Sequence, residues 1–97
     1  MQRDEAIMRL QAALPELRAR LGVRSLTLFG STARGDAGPE SDVDVLVDLG
    51  PQPGFRRLLA TIDLLEATLG TKVDVVTPGA LRPRLRRHIE ADGVAVA

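Results

Sequence analysis

The chain has 97 residues, 13 Lys plus Arg against 13 Asp plus Glu, and no Cys, Trp or Tyr. That length holds one small domain, the absence of cysteine excludes disulfide scaffolds, thiol nucleophiles and Cys-ligated zinc, and the balanced charge argues against a general nucleic-acid binder. No apolar run approaches a membrane span, and the acid-bearing N-terminus MQRDEAIMRL has no signal core, so a cytoplasmic location is expected.

Ile7, Leu10, Leu14, Leu17 and Leu21 follow the spacing of one helical stripe. Asp4 suits its cap or first turn. Pro15 predicts a kink or a second helix start, and Gly22 predicts the stop. Val23 to Phe29 reads as a strand. Gly30 ends it, and Ser31 to Ser41 reads as loop with at most one helical turn. Val43 to Leu49 alternates strictly and predicts a second strand. Gly50-Pro51-Gln52-Pro53-Gly54 breaks the chain. Phe55, Leu58, Leu59, Ile62, Leu65 and Leu69 then mark an amphipathic helix closed by Gly70. Lys72 to Thr77 reads as a third strand. Leu81 to Ile89 reads as a last helix with Pro83 in its first turn, and Val94 to Val96 as a short final strand. The order predicts an α/β (α+β) fold, with a crossover joining the second and third strands through a helix.

Chemistry concentrates on the second strand. Val43, Val45, Val47 and Leu49 share one face; Asp42, Asp44, Leu46 and Asp48 share the other. Asp42 and Asp44 are thus neighbours, with Cα atoms roughly 7 Å apart. Their mutual repulsion is relieved by a hard divalent cation such as Mg²⁺, which carboxylate oxygens suit. One Asp-x-Asp triplet is expected by chance in such a chain, so alone it reads as solvated strand residues. Asp74 adds a charge inside an otherwise apolar strand, against strand propensity. It joins the same face if the third strand lies beside the second; otherwise it is an exposed edge residue. Gly30-Ser31 directly follows the first strand, where a glycine permits close backbone approach and a turn can aim N–H groups at an anion. Arg34 adds a guanidinium. The Walker pattern is absent.

Joined together, Phe29-Gly30-Ser31-Thr32-Ala33-Arg34-Gly35, then Ser41-Asp42-Val43-Asp44-Val45-Leu46-Val47, then Asp74, resembles the signature of the DNA polymerase beta-type nucleotidyltransferase superfamily, in its minimal nucleotidyltransferase branch. The resemblance covers about Val23 to Thr77. It implies a small mixed β-sheet with flanking helices, the chain 1–97 being a single such domain. It implies two Mg²⁺ ions at Asp42 and Asp44, Asp74 completing one site and helping to deprotonate an acceptor hydroxyl, and Gly30 and Ser31 holding the terminal phosphates of ATP. Arg34 is either a phosphate contact or a brace of the loop. Members of this branch are often antitoxins paired with a helical HEPN-domain protein. The resemblance therefore implies AMP transfer to a hydroxyl of that partner; the alternative is an antitoxin that neutralises by binding alone. An aminoglycoside-type acceptor would need a further domain.

The remaining charged residues read as surface. His88 lies in an Arg-rich helix and is expected to be solvated. Arg82, Arg84, Arg86 and Arg87 form a basic run, ordinarily a solvated face, with a nucleotide or an acidic partner as the alternative. Asp48, Asp36 and Glu40 read as peripheral. The two leucine stripes read as core, the first extending toward a partner interface. With only Phe29 and Phe55 as aromatics, the chain has little with which to stack a base.

Overall fold

A computed structural model describes residues 1–97. The elements are α1 (Arg3–Leu21), β1 (Ser25–Phe29), α2 (Gly30–Arg34), β2 (Val43–Asp48), α3 (Phe55–Leu69), β3 (Val73–Val76), a 3-10 turn at Pro78–Ala80, α4 (Pro83–Asp92) and β4 (Val94–Ala95). The four strands form one mixed sheet in the order β3-β2-β1-β4. β1 is antiparallel to β2 and to β4, whereas β2 and β3 run parallel through the α3 crossover.

The alternation of β2 does what its sequence dictates. Val43, Val45 and Val47 are fully buried and Leu49 nearly so, beneath Leu10, Leu14 and Leu17 of α1 and Leu65 and Leu69 of α3. Burying each such side chain stabilises by about 1.5–3 kcal/mol. Asp44, Leu46 and Asp48 lie half-buried on the other face. α1 and α3 thus cover one side of the sheet. α4 packs against α2 and β1, where its buried residue is Ile89.

Two expectations are corrected. Pro15 neither breaks α1 nor starts a second helix; the helix runs unbroken from Arg3 to Leu21. Pro15 and Gln11 are both exposed, so the carbonyl that loses its donor lies on the solvent side, while Leu10, Leu14 and Leu17 hold the buried side continuous. Of the two places expected for Asp4, the structure shows the first turn, with Gln2 at the cap. The stripe of α3 is not all core: Phe55 is 74% and Leu59 43% exposed, and Thr61 is buried in their place. The Thr61 hydroxyl donates to the Arg57 carbonyl at 2.8 Å, which satisfies it inside the helix.

Arg57 fastens the end of the sheet away from Asp44. Its guanidinium donates to the carbonyls of Leu21, at 3.3 Å, and Leu49, so the last turn of α1 and the chain after β2 share one cation. No helix is long and apolar enough to cross a membrane.

Candidate active site

The site begins in strand register. Asp44 pairs with Phe29 of β1 on one side and with Asp74 of β3 on the other. Parallel alignment puts Asp44 and Asp74 on the same face. Asp42 lies two residues before Asp44, just ahead of β2, and is exposed, as is Asp74. The three carboxylates therefore share the face that α1 and α3 leave open.

Phe29 ends β1 in extended conformation, and Gly30 turns the chain into α2 with φ of 76°. This positive φ favours glycine. So does the space: a Cβ at Gly30 would collide with the Asp44 carboxylate. The turn and Asp44 are thus packed face to face, with no side chain between backbone and carboxylate. Ser31 follows, half-buried, in the first turn of α2.

Asp44 is the electrostatic centre. Burial, first, and then the charges of Asp74 and Asp42 push its carboxyl above the usual carboxylate range; Arg34 opposes the rise. A cation at this face would remove both the repulsion and the burial penalty, and the all-carboxylate donor set suits Mg²⁺. The fit is incomplete in one respect. Asp42, Asp44 and Asp74 share a face without converging, and no three acidic or histidine side chains gather to hold a metal unaided. Further oxygen ligands must come from elsewhere, for which phosphate oxygens are suited.

Arg34 does not extend freely toward a ligand. Its guanidinium donates to Asp36 at 3.2 Å and to Asp92, at the end of α4, at 3.4 Å. It braces α2 against its own loop and against α4. Asp48 is peripheral, as its position implies: its Oδ1 accepts from the Gly50 N–H at 2.8 Å. Ser41 accepts from the Gly38 N–H at 3.0 Å and so closes the loop leading to Asp42. His88 is exposed. The sequence reading missed Asp92, the Arg34 partner; the residues lie 58 apart and no local spacing links them.

The carboxylates line none of the molecule's cavities. The largest, about 670 Å³, lies between Met1–Glu5 and the 35–39 loop. The site is an open face rather than one of these cavities.

The face thus carries a glycine turn packed on one strand carboxylate, with a second carboxylate in register on the next strand. Residues 10–96 match the nucleotidyltransferase domain family, and the chain belongs to it. Similar proteins include the protein adenylyltransferase MntA of Thermococcus cleftensis, 39% identical over 87 residues, which span 90% of this chain and 88% of that one. A solved structure provisionally described as a minimal nucleotidyltransferase is 32% identical with a TM-score of 0.78, over 97% of this chain and 95% of that one. The same fold occurs, at 16% identity and a TM-score of 0.67, in a complex described as tri-AMPylated Shewanella oneidensis HEPN toxin with MNT antitoxin; the match spans 94% of this chain and 71% of that one.

Proposed function

We propose that this chain transfers AMP from ATP to a side-chain hydroxyl of a HEPN-type partner protein, and so acts as the antitoxin of that pair. The observation that carries the reading is the register of Asp44 with Asp74, with Gly30 packed on Asp44. The name of the Thermococcus cleftensis relative supports AMP transfer to protein. The description of the Shewanella oneidensis complex supports the kind of partner.

In this reading Gly30 and Ser31 hold the terminal phosphates. Asp42 and Asp44, with Asp74, would hold Mg²⁺, which neutralises charge on phosphate and carboxylate alike. Asp74 takes the acceptor hydroxyl's proton as the oxygen attacks the α-phosphorus, and pyrophosphate leaves. Such a transfer asks the protein for alignment and charge stabilisation rather than covalent chemistry. Arg34 keeps the turn in place through Asp36 and Asp92. The chain has no Tyr, so a tyrosine acceptor must belong to the partner.

The test is incubation with labelled ATP, Mg²⁺ and the HEPN-domain protein. Wild type should label the partner, and the Asp42→Ala/Asp44→Ala variant should not. Absence of label with wild type overturns the reading. If the double variant still silences the partner in cells, binding alone neutralises it.

A further inference from the structure

The outer side of β3 brings together three features that the transfer chemistry leaves unused. The first is an open strand edge. β3 ends the sheet and pairs only with β2. The Val43 N–H donates to the Lys72 carbonyl at 3.1 Å. Backbone groups alternate in direction along a parallel strand, so Asp74 and Val76 face β2 while Val73 and Val75 face outward. Glu66 Oε2 accepts from the outward Val73 N–H at 3.0 Å, which closes that end. No side chain engages Val75 in the same way, and no turn or cap bond reaches it.

The second feature is an apolar groove around this edge, about 310 Å³, whose lining includes Leu58, Val75, Val76, Ala80, Arg82 and Leu85. Leu58 and Val75 belong to the α3 side of the sheet, and Val76 and Leu85 to the α4 side. Exposed Phe55 and Leu59 extend the apolar surface beside Leu58.

The third is charge. Arg82, Arg84, Arg86 and Arg87 are all exposed. None belongs to the chain's ion pairs, whose cations are Arg3, Arg9, Arg20 and Arg34. Arg82 and Arg84 also flank Leu85 in the adjoining hollow toward His88.

We infer that this groove docks an extended, acidic and apolar segment of the acceptor protein, which adds to β3 as a fifth strand and brings the acceptor hydroxyl alongside Asp74. The inference rests on the proposed transfer to a protein hydroxyl. An extended segment satisfies the outward N–H and C=O of Val75. Its apolar side chains fill the floor, and its carboxylates meet four unpaired guanidiniums. A nucleic acid would meet the arginines but not the apolar floor or the strand edge. A second copy of this chain, paired edge to edge about a two-fold axis, would set one arginine cluster against the other.

The test uses the full chain, the HEPN-domain protein, and two variants. Arg82→Glu/Arg84→Glu reverses the rim at the start of α4, where acidic residues favour the helix. Val75→Pro removes the outward N–H of an edge strand without touching the bonds to β2. Each variant should raise the calorimetric Kd for the partner by roughly tenfold or more, the scale of one or two lost charge-assisted or backbone contacts. In the transfer assay, KM for the partner should rise with kcat little changed, and binding of a non-hydrolysable ATP analogue should stay as in wild type. The arginine variant keeps the test decisive if Val75→Pro fails to fold. A Kd within about twofold of wild type overturns the inference, as does failure of wild type to bind the partner. So does a short single-stranded RNA that binds wild type and is lost with Arg82→Glu/Arg84→Glu while the partner is retained. If the Kd rises as expected but wild type labels nothing, the docking surface stands and the transfer reading falls.

Discussion

Asp44 and Val45 are adjacent in the chain and lie on opposite faces of one strand. Val45 is fully buried; Asp44 is held half-buried against a glycine turn and two other carboxylates. One face is arranged for packing, the other for a charge that the bare protein accommodates poorly. A single alternating strand thus divides stability from chemistry. Substitutions on either side should separate the two.

The largest effect belongs to Asp44→Ala. It should lower AMP transfer by on the order of a thousandfold, as removing a group that stabilises transition-state charge does, while the melting temperature stays level or rises. A loss of folding instead would mean that Asp44 supports the fold. Next comes Gly30→Ala, which breaks the division itself. Its Cβ meets the Asp44 carboxylate and its φ of 76° is unfavourable for alanine. Transfer should fall on the order of a hundredfold through misplacement of about 1 Å, and thermal melting should show a stability loss of about 1 kcal/mol or more. Val45→Ala is the converse case. It should destabilise by about 2 kcal/mol, read as a melting point lower by roughly 10 °C, with kcat unchanged below the transition.

The smallest effect sharpens the comparison most. The folded-state pKa of Asp44 is raised, so the folded protein favours the protonated form. The stability that Asp44 contributes is complete below the ordinary carboxylate pKa of about 4. It is lost as pH rises through the raised value. Asp44→Asn should therefore raise the melting point by a few degrees at neutral pH, with the gain vanishing as pH falls well below ~4. Mg²⁺ with ATP should raise the wild-type melting point by binding the native state, and raise that of Asp44→Asn less. A gain independent of pH would locate the cause in packing rather than charge.

Much of this division was legible in the sequence, because alternation reports directly which residues share a face. Val43 to Leu49 assigned both faces of β2, and Asp74 stood out by interrupting an apolar strand. What periodicity does not report is whether a neighbour reaches far enough to cover an apolar side chain. Phe55 and Leu59 continue the stripe of α3 yet are left exposed to solvent. Pro15 misled for a related reason: a missing N–H matters less when the freed carbonyl is on the wet side. The pairing of Arg34 with Asp92 depends on how α4 returns across the sheet, which no local pattern encodes. The open edge of β3 follows from strand order alone.

The parallel pairing of β2 with β3 also bears on how the molecule comes into being. Asp44 meets Phe29 across one antiparallel connection, but it meets Asp74 only after a crossover of 30 residues through α3 has closed. Contacts of greater sequence separation form more slowly, because loop-closure entropy opposes them until they are complete. The β1–β2 hairpin should accordingly gain amide protection first in refolding, and nucleotide-binding competence should return only with β3. A chain still folding would then carry two of its three site carboxylates in place and no competent site. Its chemistry would be withheld until its architecture was finished.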